Sequence, residues 1–295
     1  MKDTIIVTGG AGFVGSNLIE KLLSNKKNFK IISIDNYSTG KKKNHIIDKK
    51  ITYLNGSTEN IEKLLKKKIN KIHSLFHFGE FSRIYQSFSK FEECLQSNSI
   101  GSKSVFNFCL RYKIKLIYSA TSASLGNSGS DKNLSPYAFT KSKNLELLDN
   151  LKKWFNFKFE VIYFYNVYGN RQIEIGDMAT VIGIFENQYR NGKPLTVVRP
   201  GTQSRQFTHI DDTVKVCLEA WIKNKGLHYS IFSKEKFTVL NVARMFKTKI
   251  RFLPSREGER YASALTKMNL NNKIHNRIGK ISLKDYITNI VLKKK

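Results

Sequence analysis

A doubly wound parallel α/β sheet with a smaller C-terminal lobe is the fold class that the sequence predicts. Three observations predict it. Short runs rich in β-branched and aromatic residues alternate with longer helical patterns as far as Phe164. The runs are apolar without strict alternation, the pattern of strands buried on both faces. A glycine-rich turn follows the first run and opens the first helical pattern, as in a βαβ unit.

The elements follow in order. A strand is expected at Thr4–Thr8, then a helix at Val14–Ser24. Strands at Lys30–Asp35 and Ile51–Asn55 precede a helix at Asn60–Lys68. A fourth strand, Ser74–Phe78, leads into one long helix, Phe88–Tyr112. The fifth strand, Leu116–Ser119, is followed by a helix at Pro136–Trp154, with Pro136 suited to its first turn. The sixth strand is Glu160–Phe164. Beyond Gly169 the pattern loosens, with punctuation such as Asn191-Gly192-Lys193-Pro194. Residues 1–167, with a returning segment near 206–230, are expected to form the sheet domain, and 168–205 and 231–295 the lobe. The lobe should pack at the C-terminal edge of the sheet, where open α/β sheets bind ligands.

The 295 residues suffice for such a domain, and the 40% hydrophobic and 25% charged shares are ordinary for a globular chain. The net charge of +28 is not ordinary, and it favours anionic partners. The basic residues are spread in short runs such as Lys41-Lys42-Lys43 and match no nucleic-acid-binding motif, so nucleic acid is not an expected partner. Cys94, Cys109 and Cys217 are far apart, with no Cys-x-x-Cys. They read as buried, reduced thiols of a cytoplasmic protein, and no metal site is expected. A strand begins almost at the N-terminus, leaving no room for a signal peptide, and no apolar run is long enough to cross a bilayer.

The strongest local signal is Thr8-Gly9-Gly10-Ala11-Gly12-Phe13-Val14-Gly15, a Gly-x-x-Gly-x-x-Gly between a strand and a helix. Gly9 permits the tight turn, Gly12 lets backbone N–H groups near Phe13 and Val14 approach a pyrophosphate, and Gly15 lets helix and strand pack closely. Asp35 ends the second strand, twenty residues after Gly15, with Asn36 beside it. A carboxylate there accepts hydrogen bonds from adenosine ribose hydroxyls and repels a 2′-phosphate, so NAD is expected rather than NADP.

Tyr137-Ala138-Phe139-Thr140-Lys141 places a phenol and an ammonium one helical turn apart. A nearby cation, and a positive nicotinamide ring, would lower the phenol from its usual value near 10 towards that of a general base. The spacing alone selects nothing, because Tyr37…Lys41 and Tyr189…Lys193 share it. Context selects Tyr137: it follows the fifth strand, whose end carries Ser119-Ala120-Thr121-Ser122.

Taken together, these motifs resemble the extended short-chain dehydrogenase/reductase family, and within it the UDP-glucose and UDP-N-acetylglucosamine 4-epimerases. The resemblance covers nearly the whole chain and implies a Rossmann fold. Phe76-His77-Phe78-Gly79 is similar to the family's fourth-strand end beside the cofactor, and Asn98 and Gly101 to its Asn-x-x-Gly-Thr helix. The segment ending Asn166-Val167-Tyr168-Gly169, the run Gly201–Asp212 and Arg256-Glu257-Gly258-Glu259 resemble three further motifs.

The resemblance implies that Thr121 polarises a sugar 4-hydroxyl, Tyr137 is the base and Lys141 its modulator. It places Phe78, Gly79 and Asn98 with the cofactor, and Asn166, Arg205, Arg256 and Glu259 with a nucleotide sugar. Arg suits that role, because its planar fork matches phosphate oxygens.

The departures are local. Ser57 stands where the family usually has an Asp contacting adenine. Glu80-Phe81-Ser82-Arg83 replaces small or polar residues in a region bordering the sugar, so Glu80 and Arg83 are either specificity residues or an internal ion pair. Gln206 replaces an Asp. The family's dehydratases and its UDP-glucuronate decarboxylase carry a carboxylate just after the Ser/Thr, whereas this chain has Ser122-Ala123-Ser124.

The expected activity is therefore NAD-dependent epimerisation at C4 of a nucleotide-diphosphate hexose through a transient 4-keto sugar. A nucleotide-sugar reductase or dehydrogenase on the same site, and a non-catalytic NAD-binding protein, are the alternatives. Ser263, aligned with a position that limits room near the C2 substituent, is small enough to admit a 2-acetamido group. Family members commonly dimerise through the two long helices flanking the fifth strand, so a homodimer is expected.

Overall fold

The computed structural model describes residues 3–24, 29–255 and 274–293. Arg256, Glu259 and Ser263 lie outside the described residues.

The first six strands are β1 (Thr4–Thr8), β2 (Lys30–Asp35), β3 (Ile51–Asn55), β4 (Ile72–His77), β5 (Lys115–Thr121) and β6 (Phe159–Phe164). Short strands follow: β7 (Val167–Tyr168), β8 (Leu195–Val198), β9 (Ser204–Arg205) and β10 (Thr208–His209). The last four are β11 (His228–Phe232), β12 (Phe237–Thr238), β13 (Ile250–Leu253) and β14 (Ile274–Ile278). Helices α1 (Phe13–Leu23), α2 (Ile61–Leu65), α3 (Gln86–Ser89), α4 (Phe91–Leu95), α5 (Ser102–Arg111) and α6 (Pro136–Phe155) belong to the first half. The second half carries α7 (Val181–Arg190), α8 (Ile210–Lys223), α9 (Val239–Met245) and α10 (Leu283–Leu292).

Eight strands form one sheet in the order β14-β11-β6-β5-β4-β1-β2-β3, and every pairing within it is parallel. The order reverses direction between β1 and β4. A ligand crevice opens at the carboxyl ends of strands at such a switch point. The central strands are apolar on both faces because both faces are covered. On β1, Ile5 and Val7 pack with Leu18, Leu22, Val214 and Trp221 of α1 and α8, while Ile6 faces Phe106, Phe108 and Leu148 of α5 and α6.

The smaller lobe has its own core, in which Phe185 of α7, Leu195 and Val197 of β8, Phe246 just after α9 and Ile287 of α10 pack together. Part of the range expected in the lobe returns to the main sheet: β14 pairs with β11 along Ile274–Ile278.

Helix Phe88–Tyr112 is not one helix. Lys90, at φ −114° and ψ 46°, separates α3 from α4, and Gln96–Gly101 forms a π-helical turn before α5. Such turns cluster at functional sites. This one turns Asn98 fully inward, where its amide binds the backbone of Phe81 on both sides: the Phe81 N–H donates to Oδ1 at 2.7 Å and Nδ2 donates to the carbonyl at 3.1 Å. The helix expected at Asn60–Lys68 is also shorter, a 3-10 turn at Thr58–Asn60 leading into α2. A Cβ on Gly101 would lie 2.3 Å from the Thr58 hydroxyl, so glycine lets the two segments meet.

Candidate active site

One cleft of about 870 Å³ runs along the carboxyl ends of the central strands. It is lined at one end by the glycine turn, Asp35, Asn36 and Ser57, in the middle by Phe78, Gly79, Thr121, Tyr137 and Lys141, and on the lobe side by Asn166 and Arg205. Of the described residues given a catalytic, cofactor-binding or substrate-binding role in the sequence, all but one reach this cleft. The exception is Asn98, which is buried among Phe81, Cys94 and Thr140 and acts on the cleft only through the loop after β4.

The glycine turn is shaped by close backbone approach. Gly9 has φ +68°, and a Cβ there would come within 2.8 Å of the Phe78 carbonyl and Gly79 N. A Cβ on Gly15 would lie 2.1 Å from the Gly9 oxygen. At Gly12 the nearest atom would be the Gly9 oxygen at 3.1 Å, with little else in reach, so its open side is the cleft. Helix α1 starts there with no side-chain cap and no acidic residue in its first turn. Its first N–H groups and the positive end of its dipole are thus offered to an anion.

Asp35 is anchored at the end of β2. Its carboxylate accepts from Ala11 N at 2.9 Å and Tyr37 N at 2.8 Å. Burial raises its pKa and these two N–H groups oppose the rise. An uncapped helix end for phosphate, a fixed carboxylate for ribose and a long cleft between them fit a dinucleotide. These residues would hold NAD.

Tyr137 and Lys141 are fixed by the start of α6. Ser135 caps the helix, accepting from Ala138 N at 3.1 Å, and Pro136 fills its first turn. Tyr137 sits within an apolar cluster with Phe81, Cys94, Ala123 and Ala138. The Thr121 hydroxyl at the end of β5 is hydrogen-bonded to the Tyr137 phenol, which burial pushes up to about 12. The lowering expected from Lys141 is not present in the protein alone, for a structural reason: Lys141 is paired with Glu80. The two side chains are only 4% and 2% exposed, and the ammonium also donates to the Ser119 carbonyl at 2.5 Å.

Glu80 is thus in an internal ion pair, but with Lys141 and not with Arg83. Arg83 instead donates from Nε and Nη2 to the Met178 carbonyl at 3.0 and 2.6 Å, reaching across the cleft to the lobe. On the lobe side, Asn166 Nδ2 donates to the Gln206 carbonyl at 2.9 Å, and Gln206 Nε2 donates to the Ser233 carbonyl at 2.5 Å.

Sequence reasoning missed Ser102, Tyr118 and Asn144, which donate to Glu80, and saw His77, which reaches Glu80 through Ser102, only as part of a motif. Their signal was polar residues at positions whose neighbours on strand or helix are core. The three cysteines are free and buried, and among the described residues no helix is long and apolar enough to cross a membrane.

A protein of Methanocaldococcus jannaschii, provisionally named a UDP-glucose 4-epimerase, is 28% identical over 275 residues, 87% of this chain and 88% of that protein. The structure of the UDP-glucose 4-epimerase of Thermotoga maritima with UDP-glucose superposes with a TM-score of 0.86, at 23% identity and 99% coverage of both chains. DesIV of Streptomyces venezuelae, a dTDP-glucose 4,6-dehydratase with NAD bound, gives 0.85 at 19% identity over 98% of this chain and 96% of its own. At these identities the structural likenesses show the fold. The family is shown by the sequence itself: residues 5–232 match the model of the NAD dependent epimerase/dehydratase family, and the chain belongs to that family.

Proposed function

We propose that the protein catalyses NAD-dependent epimerisation at C4 of a nucleotide-diphosphate hexose, with UDP-glucose, UDP-galactose or their N-acetyl forms as substrates. The observation that carries this reading is the Thr121–Tyr137 pair, hydrogen-bonded in one cleft with the glycine turn and followed by Ser122 where a carboxylate would serve elimination. NAD supplies the acceptor, and then the donor, of the C4 hydride. Thr121 orients the 4-hydroxyl and Tyr137 takes its proton, then returns it once the 4-keto sugar has turned over. Arg205, with Arg256 and Asn166, holds the diphosphate, and Arg83 borders the sugar. Asp35, Asn36 and Ser57 hold the adenosine. Cofactor is regenerated in each cycle, so the reaction needs no net reductant.

Phe88, Phe91, Phe139, Trp154 and Phe155 are exposed on α3, α4 and α6. Exposed aromatic groups of this size suit a protein interface, and a homodimer through the two long helical segments flanking β5 is part of the proposal, as is a cytoplasmic location. The deciding experiment incubates purified protein with UDP-glucose, UDP-galactose and their N-acetyl forms without added reductant and resolves products by NMR. Interconversion at C4 without net change in NADH absorbance supports the reading. Stoichiometric consumption of NADH or NAD would replace it with a reductase or dehydrogenase.

A further inference from the structure

Lys141 and Glu80 are embedded in a directed hydrogen-bond network. Thr8 Oγ1 accepts from Phe78 N and Gly79 N, both at 3.1 Å. Its lone pairs are then used, and its single proton points to His77 Nδ1 at 2.7 Å. Burial pushes His77 down to about 4, so the ring is neutral and its proton lies on Nε2. That nitrogen donates to Ser102 Oγ at 3.0 Å, and Ser102 donates to Glu80 Oε1 at 2.7 Å. The Tyr118 hydroxyl at 3.0 Å and Asn144 Nδ2 at 3.1 Å donate to the same oxygen. Glu80 Oε2 pairs with Lys141. Four donors thus converge on the Glu80 carboxyl group. The ammonium, for its part, is shared among Glu80, the Ser119 carbonyl and the Tyr118 hydroxyl at 3.4 Å.

A buried ion pair is a weak source of stability, so the fold alone does not account for one at this position. We propose that Glu80 is a positioning residue: it fixes the Lys141 ammonium on the Ser119 carbonyl and cancels its field at the Tyr137 phenol, so that Lys141 alone does not activate the base. The inference rests on the reading of Tyr137 as that base.

The groups facing Tyr137 come from several elements. Thr121 lies on β5, Glu80 and Arg83 in the loop after β4, Cys94 on α4 and Lys141 one turn along α6, while Ser87 accepts from the Tyr137 backbone N–H at 3.3 Å. Cys94 is pushed up to about 11 and stays neutral. The charges that matter are therefore those of Glu80, Arg83 and Lys141. Glu80 raises the phenol and Arg83 lowers it.

The test is a titration of the phenol itself, without substrate or cofactor. Protein labelled with 3-fluorotyrosine, whose ring fluorine makes phenols more acidic, is followed by fluorine NMR. The Tyr137 resonance is identified by its loss in Tyr137→Phe. Glu80→Gln keeps the side-chain volume and removes the charge. Its Tyr137 should ionise at a pH lower by about one unit or more than in the unsubstituted protein. An unshifted titration in folded Glu80→Gln overturns the proposal.

If that variant does not fold, the apolar pair Glu80→Met/Lys141→Met decides. Both charges are then gone, and cancellation predicts an unshifted phenol, whereas a clear shift either way overturns it. Epimerase turnover is measured separately. Full titration shifts without C4 interconversion would sink the proposed reaction and leave the role of Glu80 standing. Normal turnover without the shift would sink the role of Glu80 alone.

Discussion

Gly12→Ala and Gly15→Ala should separate cofactor binding from folding, although both lie in the same turn. At Gly15 the added carbon would sit 2.1 Å from the Gly9 oxygen and 2.8 Å from the Gly10 Cα. Both are backbone atoms, so α1 and the end of β1 must move apart. Overpacking of this kind costs about 1–3 kcal/mol, or a few degrees in melting temperature for a chain of this size. At Gly12 the backbone is extended, at φ −81° and ψ −176°, a conformation open to alanine. The nearest contact, 3.1 Å to the Gly9 oxygen, needs only a slight adjustment. Alanine is a poorer N-cap than glycine by about 0.5–1 kcal/mol, while the gain from a stiffer unfolded chain is about 0.4–1 kcal/mol. The two nearly cancel.

The methyl at Gly12, however, enters the cleft where backbone N–H groups would meet a pyrophosphate. Losing charge-assisted hydrogen bonds there, at about 1.5–3 kcal/mol, weakens NAD binding by about tenfold to a hundredfold. The measurements are thermal melts and calorimetric NAD titrations of both variants. A Gly12→Ala protein that melts normally and binds NAD as tightly as the unsubstituted chain would refute the placement of the pyrophosphate.

Three further outcomes are expected. Glu80→Ala or Lys141→Met alone should each destabilise by about 3–5 kcal/mol, because each strands a buried partner; denaturant melts of the apolar double variant should show far less than the sum. Asp35→Ala should lower NAD affinity about tenfold or more and narrow its preference over NADP, since a 2′-phosphate no longer meets a carboxylate; paired titrations with the two cofactors check this. Glu219, held by Arg277 with Nη2 at 2.6 Å and by Lys223, has its pKa lowered from 4.5 to about 2. A depressed carboxylate contributes stability above its unfolded value that is lost as pH falls through its folded value. Melting temperatures should therefore fall between pH 4.5 and about 2, and Arg277→Gln should flatten that part of the profile.

The sheet was legible because burial on both faces leaves a mark in sequence. The runs at Thr4–Thr8 and Lys30–Asp35 have the observed strand boundaries, since covered strands cannot admit polar residues without partners; the run at Ile51–Asn55 matches too, although β3 lies at the sheet edge and is only partly buried. The break at Lys90 and the π-helical turn were not legible. Apolar spacing continues through Phe88, Phe91 and Leu95, and the reason for the turn, Asn98 grasping the Phe81 backbone, lies in the tertiary structure. The small lobe was visible only as irregularity because strands of two residues, such as β9 and β12, are too short for any periodicity. Glu80 stood out as an odd residue in a familiar segment, but its partner Lys141 is 61 residues away. Pairing at that distance is a property of the fold and leaves no local pattern.

The fold does not separate epimerase from dehydratase chemistry, since one example of each superposes at nearly the same TM-score. The charges near Tyr137 bear on the choice. Elimination needs an acid or base beside the sugar in addition to the group that handles the 4-hydroxyl. Four carboxylates line the cleft among the described residues: Asp35, Glu59, Glu80 and Glu93. Asp35 is held by Ala11 and Tyr37 at the adenosine end. Glu59 is bonded to Gln96, and Glu93 lies 3.9 Å from Lys90 on the exposed side. Glu80 is the carboxylate whose charge acts on the phenol, and it is taken up by Lys141, Ser102, Tyr118 and Asn144. Epimerisation asks less of the site: one hydroxyl, one phenol and a sugar free to turn over. Thr121 and Tyr137 meet that requirement, and the engagement of Glu80 with Lys141 leaves no second acid beside them among the described residues.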